Sequence, residues 1–164
     1  MRFAAIAAFV LCAVALALHS TAQSATGMSA MQYYVGSWSC TGTEVGKSPA
    51  HATLHYTLDS GILTEWIRVP VQNGMKTAFS ETVTTAYDAK DNRYVEAYVH
   101  DNGEWGVSYF TFNGNMERDV DHAAWDGKLG HSVTNRVSNS TFTVIAYPTL
   151  TSTKADFRAT CHRS

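Results

Sequence analysis

From residue 36 onward, polar and apolar residues alternate in short runs, and most runs end at a pair of turn-forming residues. A period of two marks a strand with one buried face. The runs predict strands at 36–45, 50–59, 62–69, 78–88, 93–101, 104–112, 115–125, 128–138, 141–148 and 154–162. Asn102-Gly103, Asn113-Gly114 and Asp126-Gly127 read as two-residue hairpin turns, both of whose positions need positive φ, and Asn139-Ser140 is a weaker example. Such short joins make neighbours in sequence neighbours in space. The expected fold is all-β: one up-and-down antiparallel barrel of about ten strands, with a short helical turn over 31–34 ahead of it.

In the first strand, Gly36, Trp38, Cys40 and Gly42 share a face. Trp38 between glycines is suited to plug one end of the barrel, and antiparallel closure of the first strand on the last sets Cys40 beside Cys161, predicting a disulfide. The turn pairs also predict which side chains meet. Two-residue turns align His100 with Trp105, Tyr98 with Val107, Glu96 with Tyr109, Tyr109 with Arg118, Val107 with Val120, and His122 with His131. That row, with Val133 and Met116, is expected to face inward. Glu117, Asp119 and Asp121 then face out, with Thr134 and Arg136 alongside. The face continues to Phe142, Val144 and Ala146 in one direction and to Tyr87, Thr85, Val83, Glu81 and Phe79 in the other. The turn before Ile62 leaves open whether Glu65 or the pair Trp66 and Arg68 points inward.

The start of the chain changes the compartment. Arg2 precedes an uncharged run from Phe3 to Leu18 and the small residues Ser20-Thr21-Ala22, a secretory signal peptide over 1–22 whose apolar run is short for a membrane span. Residues 23–30 read as a flexible lead and 31–164 as the barrel domain. Cleavage removes one of 12 basic residues and one of three cysteines, so eleven basic side chains face 14 acidic ones and the mature charge is −3. That balance gives no support for nucleic acid as a partner. Two remaining cysteines in a secreted or periplasmic chain fit one disulfide.

Gly36-Ser37-Trp38, placed after a short helical lead and before a meander, resembles the Gly-x-Trp entry of the calycin superfamily, the lipocalin-like barrels. The chain is most similar to nitrobindin-like barrels and to uncharacterised secreted bacterial domains of that type. The resemblance implies a barrel with a lined interior. It also implies haem held by a histidine at the start of the last strand, but Thr153 and Lys154 stand there, so neither haem nor another cofactor is expected.

Two polar rows cross the expected interior: His100, Trp105, His122 and His131 near a rim, with Glu81 opposite His100, and Glu96, Tyr109, Arg118 and Asn135 deeper. Tyr98, Val107, Val120 and Val133 form an apolar belt between them. Apolar walls with a few convergent polar groups describe a small-molecule pocket. The main expectation is an exported binding protein for a small, largely apolar ligand with a polar end. Glu96 and Arg118 are alternatively an internal pair closing the floor against Trp38, as an arginine does in lipocalins. A metal bound by His122, His131 and Glu81 is a weaker reading. Acid/base catalysis by the interior row is another, although no free cysteine or Gly-x-Ser-x-Gly turn marks a nucleophile and no catalytic residue is assigned. The last alternative is an interaction module with a filled barrel, using outward Val95, Ala97, Val99, Phe110 and Phe112, through which two copies would pair.

Overall fold

The computed structural model describes residues 27–72 and 75–164, so the signal peptide expected at 1–22 lies outside the described residues. Ten strands, β1 (Gly36–Glu44), β2 (Ala50–Asp59), β3 (Ile62–Val69), β4 (Phe79–Asp88), β5 (Arg93–His100), β6 (Trp105–Asn113), β7 (Met116–Ala124), β8 (His131–Ser138), β9 (Thr141–Tyr147) and β10 (Phe157–Arg163), form a closed antiparallel barrel. Each strand pairs with its neighbours in the chain, and β10 returns to β1. Every run of alternation has become a strand; the ends differ chiefly at the starts of β8 and β10.

The two barrel ends differ because the connections do. At one end the turns are tight, and the chain enters through a helical turn at 27–29 and a 3-10 turn, Ala30–Tyr33. Residues 27–30 of the expected flexible lead are thus helical, and Tyr94 Oη donates to the carbonyl of Gly27. Trp38 is 0 % exposed beneath this cap, where its indole N–H donates to Tyr34 O at 2.7 Å. Its ring meets Phe142 at 4.8 Å. Arg163 lies 4.3 Å from the indole centroid and donates to Val35 O and Tyr33 O. The arginine that closes the floor against Trp38 is therefore on β10, not at position 118. On the seam, Cys40 stands opposite Cys161 and the two are disulfide-bonded.

The register departs from expectation at the first hairpin. His100 N–H donates to Glu104 O, which leaves Asp101, Asn102 and Gly103 in a three-residue loop with Gly103 at φ +89°. Glycine at the last loop position is the usual partner of such a turn. The extra residue sets Tyr98 opposite Gly106 and Glu96 opposite Ser108, so β6 turns its other face inward. The β6–β7 turn is Gly114-Asn115, between paired Asn113 and Met116, and His131 pairs with Val120 rather than His122. Both changes move the register by an even count, so β7 as far as Asp121 and all of β8 inherit the inversion; His122 falls at an irregularity opposite Val107 and Ser108, beyond which Ala124 pairs with inward Gly106. An irregularity between Arg136 and Ser138 then reverses it, and Phe142, Val144 and Ala146 face inward as expected.

Candidate functional site

The interior encloses a partly open cavity of about 390 Å³, running from Met31 and Tyr34 at the capped end to Val69, Glu81 and Phe157 near the other. Its two sides differ in chemistry. Leu54, Phe142, Val144, Ala159 and the Cys40–Cys161 disulfide, from β2, β9, β10 and β1, make an apolar wall. Facing it are Glu65 of β3, Glu81 of β4, Glu96 of β5, and Glu117 and Asp119 of β7. Period-two alternation explains the acid wall: 117, 119 and 121 share one face of β7, and that is the inward face.

These carboxyl groups are removed from bulk water, and what surface they retain faces the cavity. Burial raises Glu65 to about 8; its register partner Tyr56 hydrogen-bonds the carboxylate and opposes the rise. Burial raises Glu117 to about 7 although Tyr34 Oη donates to its Oε2 at 3.0 Å. Asp119 is raised to about 6 by burial, opposed by a hydrogen bond from Ser108, with the charge of Asp121 adding to the rise. Glu96 stands well above the ordinary carboxylate range through burial and then repulsion from Asp119, Glu117, Glu65 and Glu81, while Thr85 Oγ1 donates to it at 3.3 Å. Desolvation disfavours each charged form, and neighbouring acids add to the penalty.

Ser108, 2 % exposed, hydrogen-bonds the Asp119 carboxylate, and behind the wall Nε and Nη2 of Arg136 have no hydrogen-bond partner. The nearest guanidinium, Arg136, lies behind the floor with Cζ 4.7 Å from the Tyr34 ring centroid and 4.2 Å from that of Phe112.

Of the residues singled out from sequence, Glu96, Tyr98, His100 and Glu81 share the inward face, and Glu81 stands opposite His100, with Oε2 3.4 Å from its Nε2. His100 Nδ1 also lies 3.0 Å from Glu104, and the Tyr98 ring crosses over Gly106. The inversion turns Trp105, Val107, Tyr109, Arg118, Val120, His131 and Val133 outward, and His122, at the β7 irregularity, is exposed as well. Trp105 is 46 % and Val120 47 % exposed. Arg118 therefore does not meet Glu96. His122 rests on Tyr109, and His131 stacks on Tyr147, both apart from Glu81; among the described residues no three His, Cys, Asp or Glu stand close enough to hold a metal ion. Phe110, expected on the outside, is 2 % exposed in the core, and Phe112 packs against that core. Pairing of two barrels through those two rings is thereby overturned.

Sequence reasoning missed Glu117, Asp119 and Phe110 as interior residues and left Glu65 open. The available signal was the strict alternation of three acids on β7, which is equally what a solvated face looks like.

No family model matches the chain, and no curated protein matches it in sequence. Among solved structures, the crystal structure of Rv2717c from M. tuberculosis is similar at TM-score 0.58 and 14 % identity over 85 % of this chain and 98 % of that one. A redesigned β-barrel is similar at TM-score 0.48 and 11 % identity, over 81 % and 93 %. The likeness is one of fold alone. Among the described residues no helix is long and apolar enough to cross a membrane.

Proposed function

We propose that this protein is an exported binding protein that holds a small, largely apolar ligand with a polar end inside its barrel. The observation that carries the reading is the two-sided cavity: about 390 Å³, apolar on the β9–β10–β1–β2 side and hydrogen-bonding on the other. That volume falls within the range of about 300–1,000 Å³ typical of ligand pockets. Burying about 200 Å² of ligand hydrocarbon against the apolar wall contributes about 5 kcal/mol. The Cys40–Cys161 bond is compatible with an oxidising compartment outside the cytoplasm. The Gly36-x-Trp38 entry with Arg163 over the indole supports placement among the lipocalin-like calycins.

The test is titration with the neutral, environment-sensitive fluorophore N-phenyl-1-naphthylamine. Saturable one-site enhancement is expected, abolished by filling the cavity with Ala159→Trp while the far-ultraviolet circular dichroism is unchanged. Absence of saturable binding, or undiminished binding by a folded Ala159→Trp, overturns the proposal.

A further inference from the structure

We infer that the open end of the barrel is a membrane-docking face, which seats the mouth of the cavity on a phospholipid bilayer containing anionic lipid. The docking stands by itself; only the passage of ligand described below rests on the binding reading.

Exposed apolar residues are unevenly spread over the molecule. Among the described residues eleven large hydrophobic side chains are exposed, and six of them ring the mouth. Val45 follows β1, Val71 follows β3, Trp105 begins β6, Trp125 follows β7, Leu150 follows β9 and Phe157 begins β10, so each of the five connections at that end contributes one or more. Of the eleven, the capped end holds Ile62 and Val137. Apolar residues scattered singly over a surface are ordinary, whereas a concentration of them marks an interaction site. The two tryptophans dominate the ring. Trp125 N–H donates to Trp105 O at 3.0 Å, bringing two half-exposed indole residues together, and Trp105 stands opposite exposed Val99.

The spacing of these tips selects the partner. They come from five separate connections and are divided by small and polar residues such as Ser48, Asn102-Gly103, Asp126-Gly127 and Thr149. A stable protein interface needs a continuous packed patch of about 800 Å² on each partner, but a fluid apolar layer receives each tip separately. Tryptophan, apolar in body and polar at one edge, favours the boundary between headgroups and hydrocarbon. Lysine follows the same distribution: four of the chain's five, Lys47, Lys76, Lys128 and Lys154, are exposed on these connections a few residues from an apolar tip. Their stems can lie along apolar surface while the ammonium groups reach lipid phosphates. Of the five acids at this end outside the cavity, four are turned to partners in the protein: Glu44 to Lys47, Asp126 to Lys128, Asp101 to Ser80 and Glu104 to His100. Asp156 is the fifth, and Arg68 and Arg158 add exposed cations just behind the rim.

The rim is continuous with the interior. Phe157 belongs to both, lining the cavity and resting its ring against Gly42. A barrel docked mouth-down therefore sets its opening against hydrocarbon, and an apolar ligand can pass from bilayer to cavity without crossing water.

The experiment sediments the oxidised, exported protein with vesicles of phosphatidylcholine alone and of phosphatidylcholine mixed with phosphatidylglycerol, and reads tryptophan quenching by lipids brominated in the acyl chain. The parent is expected to bind, to be quenched, and to gain about tenfold in affinity from phosphatidylglycerol. Trp105→Ser/Trp125→Ser should weaken binding about tenfold or more, and Lys76→Gln/Lys154→Gln should remove most of the gain. Ile62→Ser/Val137→Ser, at the capped end, should bind as the parent does; unchanged far-ultraviolet circular dichroism reports that each variant is folded. A parent that binds neither vesicle, a missing gain, a gain that survives the lysine variant, undiminished binding by the folded tryptophan variant, or an equal loss in the capped-end variant overturns the proposal. Self-association of the parent that the tryptophan variant abolishes, without vesicle binding, overturns it in favour of a second copy. Titration with N-phenyl-1-naphthylamine in the absence of lipid reads the cavity separately: its failure overturns the binding reading and leaves the docking intact.

Discussion

Replacing Glu65 with Gln should make the protein more stable in mild alkali while leaving it nearly unchanged in acid. Burial raises Glu65 from the ordinary 4.5 to about 8, so the folded state holds a proton that the unfolded chain gives up. A folded-state value above the unfolded one means stability that is fully present below pH 4.5 and lost as pH rises toward 8, at about 1.4 kcal/mol per unit. Over the whole window the loss approaches about 5 kcal/mol, and about 3 kcal/mol if water follows the carboxylate into the cavity. Glutamine has nearly the same shape, can accept from Tyr56, and has no proton to lose. Urea denaturation of the parent and Glu65→Gln at half-unit steps from pH 4 to 9 should give curves that coincide at pH 4 and separate by about 3 to 5 kcal/mol by pH 9, with unchanged m-values. A gap independent of pH, or a parent as stable as the variant at pH 9, would refute the assignment of Glu65 to a dehydrated interior.

Reduction of Cys40–Cys161 should cost about 5 kcal/mol on the chain-entropy model for a separation of 121 residues; urea midpoints of the oxidised protein and of the Cys40→Ala/Cys161→Ala double variant compare directly, and equal midpoints would contradict this. Gly106→Ala places a Cβ into the Tyr98 ring and should cost about 1 to 3 kcal/mol, a cost that disappears in a Tyr98→Leu background. Equal costs in the two backgrounds would show that the ring is not what position 106 accommodates.

The strands were legible because alternation and turn residues are local signals, and each of the ten runs carries its own. Facing was not, because it depends on counting residues in turns. Asn102-Gly103 suits a two-residue turn and equally the last two positions of a three-residue loop, and the difference lies in one hydrogen bond, His100 N–H to Glu104 O. That one residue moved Trp105, Val107 and Tyr109 to the outside and brought Ser108 and Phe110 in. The error ended at β9 because the irregularity near Val137 supplies a second odd step. Hydrophobicity did not correct it: on β7 the apolar Val120 faces water and Glu117 and Asp119 face the cavity, the reverse of the usual preference. Glu96 was placed correctly because β5 precedes the miscounted loop. The residues whose burial runs against their type are the ones that define the site.

The seam between β1 and β10 gives the barrel an asymmetry in time as well as in space. Nine of its ten strand pairings join consecutive strands and can form as soon as each hairpin is made, whereas the tenth joins positions 121 residues apart. Local pairings form quickly and distant ones slowly, so the meander can assemble as a curved open sheet whose two edges are β1 and β10. Such edges invite pairing with other chains. Oxidation of Cys40 and Cys161 converts the sheet into a covalent ring, in which neither edge is left to recruit a neighbour. The disulfide thus guards against misassociation during the interval when the barrel is still a sheet.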